Sequence, residues 1–212
     1  MKIQIWSLLL FLILPVLSFS QFKKGYYLTN DSVKIEGLIK YNSLKNNPVK
    51  FKFKKSEDSE ISKIHQNEAK EFSIYGDVKF VRANVMIDSS SIVLERLSAD
   101  RNPKFVSKEV YLEVLEEGAV NLYSYIHQKN YKYFIRAKNE EIQQLVYKRY
   151  LVINTGNTLR HRREIKHNNY FKQQLKNYLK CNAISLKKFK KLKYFKKDLR
   201  EIIKENNQCI NE

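Results

Sequence analysis

From Val49 to Lys54 the chain reads Val-Lys-Phe-Lys-Phe-Lys, a strict alternation of apolar and charged residues. A period of two sends successive side chains to opposite faces of a pleated strand. Val49, Phe51 and Phe53 are therefore expected on a buried face, and Lys50, Lys52 and Lys54 on a wet one. A helix would scatter the same residues around its circumference. A lysine-lined strand also resists edge-to-edge pairing with other chains.

Neighbouring segments carry related patterns. Lys24–Leu28 and Val33–Ile39 flank Thr29-Asn30-Asp31-Ser32, a hairpin turn by composition. Glu71–Tyr75 and Lys79–Ile87 are joined at Gly76-Asp77, and Val110–Leu115 and Val120–Ile126 at Glu116-Glu117-Gly118. Tyr131–Arg136 continues the meander. Asp88–Pro103 has weak periodicity and is expected to be a long loop with a helical turn around Leu94. Ile142–Val152 fits either period, and its β-branched and aromatic residues favour strand.

The period changes after Asn154-Thr155-Gly156-Asn157. Phe171, Leu175, Tyr178 and Leu179 have helical spacing, with Asn168 or Asn169 available as N-cap. Ser185 is placed to cap a short helix carrying Phe189 and Leu192. Phe195, Leu199, Ile202 and Ile203 form a third apolar stripe, which Asn206-Asn207 are expected to end. The fold class that follows is α+β: an antiparallel β-sheet or sandwich meander, then a short C-terminal helical region. The expected divisions are a leader at 1–20, a mainly antiparallel β domain at 21–153, and a basic helical region at 154–212.

The leader is read from Met1-Lys2, the apolar run Ile3–Leu17, and Ser18-Phe19-Ser20-Gln21. A positive start, a short apolar core and small residues before a cut describe a secretory signal peptide. Retention as an anchor is the alternative, although a spanning helix needs about 20 apolar residues. Lipid attachment at the cut requires a cysteine there, and the first cysteine is Cys181. No later run is apolar enough to span a bilayer, so no membrane span is expected after cleavage.

Export changes how the charge is read. The net charge is +18, which in a cytosolic protein points first to nucleic acid. Outside the cytoplasm the available anionic partners are lipid head groups, lipopolysaccharide, wall polymers or acidic proteins. The surplus concentrates late: residues 156–212 carry 16 Lys or Arg against 5 Asp or Glu. Solvated surface is the competing explanation. Lys196, Lys197 and Arg200 lie opposite the apolar stripe of the last helix, so residues 187–204 either pack on the sheet or lie on a membrane surface.

Cys181 and Cys209 are the only cysteines. An even number in an exported chain points to one disulfide, clamping two helix ends. Free thiols or pairing between chains are the alternatives.

Motifs for chemistry are sparse. His65, His127, His161 and His167 stand in no recognised zinc spacing. There is no G-x-S-x-G context for a nucleophilic serine. The five glycines are too dispersed for a phosphate loop or a dinucleotide fingerprint. Glu116-Glu117 and Glu140-Glu141 sit where solvated acids are ordinary. No catalytic, cofactor or metal residues are assigned, and no nucleic-acid partner is expected.

Several segments together resemble a family of uncharacterised envelope proteins of Gram-negative bacteria. They are Lys24-Gly25-Tyr26-Tyr27, Ile35-Glu36-Gly37-Leu38-Ile39, Asn46-Asn47-Pro48, Phe51–Ser56, Lys70-Glu71-Phe72, Phe80-Val81-Arg82-Ala83, Arg101-Asn102-Pro103, Gln144–Lys148, Phe171–Leu175, Cys181 and Cys209. The resemblance implies an exported N-terminal module, often followed by an outer-membrane β-barrel. Three residues follow Cys209 here, so the expectation is the module without a barrel. Some members carry the label of an RNA-modification GTPase, which the missing phosphate loop opposes.

The expected role is a non-enzymatic, envelope-associated binding or scaffolding module in the periplasm or at the outer-membrane periphery. Its expected partners are anionic envelope components or an outer-membrane protein, reached through Lys50, Lys52, Lys54, Lys196, Lys197 and Arg200. A hydrolase acting on cell-envelope polymers is the alternative, and it requires a pocket with convergent polar side chains.

Overall fold

A computed structural model describes residues 22–42, 46–127, 130–154 and 162–211. The leader expected at 1–20 lies outside the described residues.

Ten strands form one antiparallel sheet: β1 (Lys23–Thr29), β2 (Lys34–Lys40), β3 (Lys50–Lys54), β4 (Ser62–His65), β5 (Ala69–Ile74), β6 (Val78–Asp88), β7 (Phe105–Glu116), β8 (Val120–His127), β9 (Asn130–Ala137) and β10 (Gln143–Gln144). Their spatial order is β10-β9-β8-β7-β6-β5-β1-β2-β3-β4. Consecutive strands are neighbours except where β1 sits between β2 and β5. A separate hairpin pairs β11 (Lys148–Asn154) with β12 (Arg162–Asn168). The expected boundary at 153/154 therefore falls inside a strand pair.

The sheet bends twice, in opposite senses. In one half, Phe51 of β3 stacks on Phe72 of β5 with ring centroids 4.4 Å apart, although β1 and β2 lie between those strands. Ile39, Phe53, Ile74, Phe80 and Tyr111 complete this core. Gly25 and Gly37 face each other across β1 and β2 on the same side. A Cβ at Gly25 would lie 2.1 Å from the Ser73 carbonyl oxygen, and one at Gly37 2.3 Å from that of Lys54. Only glycine permits so close an approach of backbones, and the tight curl depends on it.

In the other half the opposite face is inside. Tyr111 pairs with Arg82 and Leu112 with Val81, so adjacent residues of β7 serve different cores. Leu112 joins Val85, Ile87, Val110, Tyr123 and Phe134. The end of β6 is drawn toward β9 and β10. The Asp88 N–H donates to Gln144 Oε1 at 2.8 Å, and Lys132 Nζ lies 3.3 Å from Asp88 Oδ2.

Three helices follow: α1 (Phe171–Tyr178), α2 (Leu186–Lys191) and α3 (Lys196–Asn211). They bury Phe171, Leu175, Phe189, Leu199, Ile202 and Ile203 against Leu122, Ile135 and Leu145. The expected stripes are core stripes apart from Phe195, which precedes α3 and is 61% exposed, and residues 187–204 pack on the sheet. Tyr194 ties the layers together, since its hydroxyl donates to the Leu145 carbonyl at 2.8 Å and accepts from the Tyr133 N–H at 3.0 Å. No described helix is long and apolar enough to cross a membrane.

Ser185 caps α2 as expected, accepting from the Lys188 N–H. At α1 the N-cap position is Tyr170, and Asn168 accepts from the Tyr170 N–H just before it. Asn206-Asn207 do not end α3, which runs on to Asn211. Both asparagines are buried because other elements use their amides. Asn206 Oδ1 accepts from Lys180 and Cys181 N–H, while Asn207 bonds both backbone groups of Val120. Cys209 consequently lies within the last turn of α3 and forms a disulfide with Cys181, their Cα atoms 5.8 Å apart.

Elsewhere, Val49 does not join Phe51 and Phe53 in the core and is 66% exposed. The strand β4, unexpected from sequence, forms the sheet edge beside β3. Ile142–Val152 divides into the short β10 and the start of β11. The loop 89–104 contains the expected helical turn, at Leu94–Arg96.

Candidate anionic-contact face

The outer surface of β1–β4 carries lysines in register. Lys40, Lys52 and Lys63 stand directly opposite one another across β2, β3 and β4. Lys50 stands opposite His65. On the other side of Lys52, Leu38 of β2 lies between Lys24 of β1 and Lys54 of β3. Residues directly opposite in a sheet share a face. Neighbouring strands are about 4.8 Å apart, and residues two apart on a strand about 7 Å. The lysines therefore form a lattice on one surface, backed by Ile39, Phe51, Phe53 and Ile64 on the inner side.

Lys24, Lys50, Lys52 and Lys63 are exposed, and Lys40 and Lys54 half-buried. Among the described residues, Lys24, Lys40, Lys50, Lys52 and Lys63 have no carboxylate within ion-pair distance. The Lys54 ammonium donates to the Glu57 carbonyl at 2.7 Å and lies 5.5 Å from the centre of the Phe22 ring. Like charges directly opposite destabilise a sheet. The Lys40–Lys52–Lys63 row thus sets three like charges side by side across β2, β3 and β4. The nearest acids along the chain, Glu57, Asp58 and Glu60, lie in the β3–β4 turn.

The helical basic residues behave differently. Lys196 Nζ lies 2.6 Å from Glu113 Oε1, and Arg200 Nε 2.8 Å from Glu116 Oε1. Both acids belong to β7, so these pairs hold α3 against the sheet. Lys197 is exposed. The five lysines and one arginine expected as contacts therefore separate into a strand group, Lys50, Lys52 and Lys54, with no carboxylate partner among the described residues, and a helix group in which Lys196 and Arg200 pair with β7.

Lys24, Lys40 and Lys63 are additions from the structure. The alternation of Lys63 and His65 around Ile64 was the available sequence signal for β4, but four residues are a short run on which to read a period. Lys40 ends β2, and only the register brings it opposite Lys52.

The other candidate is an open cleft of about 350 Å³ between the β5–β6 and β7–β8 turns, lined by Gly76, Asp77, Lys79, Leu115, Glu116 and Glu117 among others. Its acids are paired: Asp77 with Lys23 at 2.6 Å, Glu117 with Lys79 at 3.0 Å, and Glu116 with Arg200. Lys79 also lies 3.5 Å from Glu71. Tyr26, which donates to Glu71 at 2.6 Å, has its phenol pushed up to about 12 by partial burial and by that carboxylate. These contacts bind strands together; no histidine lines the cleft, and Ser73, which does, donates its hydroxyl to the Val78 carbonyl at 3.1 Å. Of the histidines, His65 is on the lysine face, His127 ends β8, His167 bonds the Tyr147 hydroxyl at 2.7 Å, and His161 lies outside the described residues. Among the described residues no group of His, Cys, Asp or Glu is arranged to hold a metal.

The chain matches no family model, no curated protein and no solved structure.

Proposed function

We propose that this protein is an exported, non-enzymatic module of the bacterial envelope that binds anionic components through the outer face of β1–β4. The supporting observation is the cross-strand row Lys40–Lys52–Lys63, whose charges have no carboxylate partner among the described residues. Support for export, and so for a periplasmic or outer-membrane-peripheral location, comes from the leader composition at 1–20. The Cys181–Cys209 disulfide agrees with an oxidising compartment.

The mechanism is surface contact. Each lysine near a polyanionic surface contributes about 1 kcal/mol, and the attraction decays over about 8–10 Å at physiological salt. Binding should accordingly be steep in ionic strength. Cosedimentation with phosphatidylglycerol vesicles, lipopolysaccharide or peptidoglycan sacculi, at about 20 mM and about 500 mM salt, tests this. At least one of them should pellet the protein at low salt and release it at high salt, and K50E/K52E/K54E should weaken the retention. Failure to bind all three at low salt removes the charge-contact reading.

A further inference from the structure

The first half of β7 has a partner strand on one side only. β6 pairs with it from Phe105 to Glu113, whereas β8 joins it only from Glu113 onward. Backbone groups of alternate residues in an antiparallel strand point to opposite sides. The Ser89 N–H donates to the Lys104 carbonyl at 2.8 Å, which sets the even-numbered residues of this segment toward β6. The odd-numbered ones point away: the Glu109 carbonyl accepts from the Gln66 side-chain amide at 2.7 Å, and the Tyr111 carbonyl from that of Asn47. Among the described residues, the N–H and C=O of Phe105, those of Ser107 and the N–H of Glu109 have no hydrogen-bond partner. Every residue from Phe105 to Glu109 is exposed. The edge is also fixed in place. The Lys104 N–H donates to Asp88 Oδ1 at 3.0 Å at one end, and Gln66 holds the Glu109 carbonyl at the other. A fixed edge loses little freedom on accepting a partner.

We infer that this edge of β7 accepts an extended segment of an acidic partner protein as an added antiparallel strand. Its backbone completes the bonds of Phe105 and Ser107, an apolar side chain stands opposite Val106, and carboxylates stand opposite Lys104 and Lys108. Unpaired strand edges recruit extended chains in this way, with alternate side chains setting the specificity. Here Lys104, Val106 and Lys108 share one face. Val106 lies opposite Ile87 and Lys108 opposite Val85, so an apolar residue beside Val106 extends the core face of those two residues. Lys104 and Lys108 have no carboxylate within ion-pair distance among the described residues. A second copy of this chain fits less well. The register in which Phe105 of one copy exchanges both bonds with Ser107 of the other sets Lys104 opposite Lys108 twice, and like charges directly opposite destabilise a sheet. A register centred on Ser107 calls instead on the Glu109 carbonyl, which Gln66 already holds. The inference is independent of the β1–β4 lysine face.

The probe is a fluorescein-labelled heptapeptide, Thr-Glu-Thr-Val-Thr-Glu-Thr, titrated with the disulfide-bonded protein and read by fluorescence anisotropy. Methylating the backbone nitrogens of the two threonines beside its valine removes the donors to the Phe105 and Ser107 carbonyls, and should abolish binding. Methylating the valine nitrogen, which points away from β7, should leave binding intact. A peptide with lysine in place of both glutamates should bind about tenfold more weakly, and K104E/K108E should invert that preference. Both lysines are exposed, and near-ultraviolet circular dichroism confirms that this variant is folded. Hydrogen exchange at the Phe105 and Ser107 amides should slow when the acidic peptide is bound.

No binding of the acidic peptide, or equal binding of the two methylated forms, overturns the inference. Loss of binding in K50E/K52E/K54E but not in K104E/K108E does the same, because it puts the peptide on the β1–β4 face. Slow exchange at Phe105 and Ser107 in the protein alone, together with a concentration-dependent dimer in sedimentation, makes a second copy the occupant and equally overturns it.

Discussion

The side-chain amide of Asn47 donates to the Tyr111 carbonyl at 2.6 Å, just beyond the point where β7 and β8 stop pairing. The Asn47 carbonyl oxygen accepts from the Ile126 N–H at 2.9 Å, and the Asn47 N–H donates to the Ile126 carbonyl at 2.9 Å. A single residue from the chain leading into β3 thus fills the opened ladder between two strands. It is 8% exposed, so water cannot readily replace these bonds.

Replacing Asn47 with alanine should cost about 3 kcal/mol, because it leaves buried backbone groups of Tyr111 and Ile126 without partners. Asn47→Asp should be no better, since it sets a carboxylate oxygen against the Tyr111 carbonyl. Urea denaturation followed by circular dichroism measures both. A midpoint unchanged in Asn47→Ala would show that the bonds contribute nothing net.

Asp88 and Lys132 form a buried pair, their side chains 2% and 8% exposed. Burial pushes the Asp88 carboxyl up. Hydrogen bonding from Ser90, the Lys132 charge and the Lys104 N–H outweigh it, and the net direction is down. A carboxyl depressed in the folded state contributes stability that is present above its unfolded value, near 4, and lost as pH falls through the folded value. Thermal stability should therefore drop below about pH 4, and Asp88→Asn should flatten that drop. Lys132→Met, which strands a buried carboxylate, should cost about 3 kcal/mol at neutral pH.

Lys196–Glu113 and Arg200–Glu116 predict a contrast between the two basic surfaces. Lys196→Ala and Arg200→Ala should each lower stability by only about 0.5–1 kcal/mol, because the basic side chains are 41% and 51% exposed and solvent screens the pairs. Their effect on salt-dependent binding should be small beside that of Lys52→Glu. Parallel denaturation and cosedimentation separate the outcomes, and loss of binding in the helix variants alone would reassign the contact surface.

The Cys181–Cys209 disulfide closes a sequence separation of 28 residues, joining the segment after α1 to the last turn of α3. Replacing both cysteines with serine should cost about 3–4 kcal/mol in the chain-entropy model. The loss should appear first as exchange of α3 amides, since that helix depends on the closure and on the apolar contacts of Leu199, Ile202 and Ile203. Hydrogen exchange of the oxidised and reduced protein tests the order.

Much of the fold was legible locally. Lys50, Lys52 and Lys54 were expected on a wet face because a strand has period two, and they lie there. The stripes through Leu175, Leu199 and Ile202 were expected to be buried because a helix has period near 3.6, and they are. Ser185 was recognisable as a cap because its bond to the Lys188 N–H lies within one turn. What escaped was long-range. Asn206-Asn207 carry a local signal for stopping a helix, but Val120, Lys180 and Cys181 occupy their amides and α3 continues. Lys196 and Arg200 looked solvated, and carboxylates 83 and 84 residues away in sequence receive them.

By itself the sequence determined the strand and helix periods, the basic surplus, the cysteine pair and the composition of the leader. These follow from bonding and side-chain direction within a few residues. Only the tertiary structure decided that the sheet bends twice, that Lys40 and Lys63 flank Lys52, and that Lys54 meets Phe22. Such relationships depend on the register between strands and on which surface covers another. Periodicity shows that a side chain faces outward, whereas the rest of the folded chain determines what it meets there.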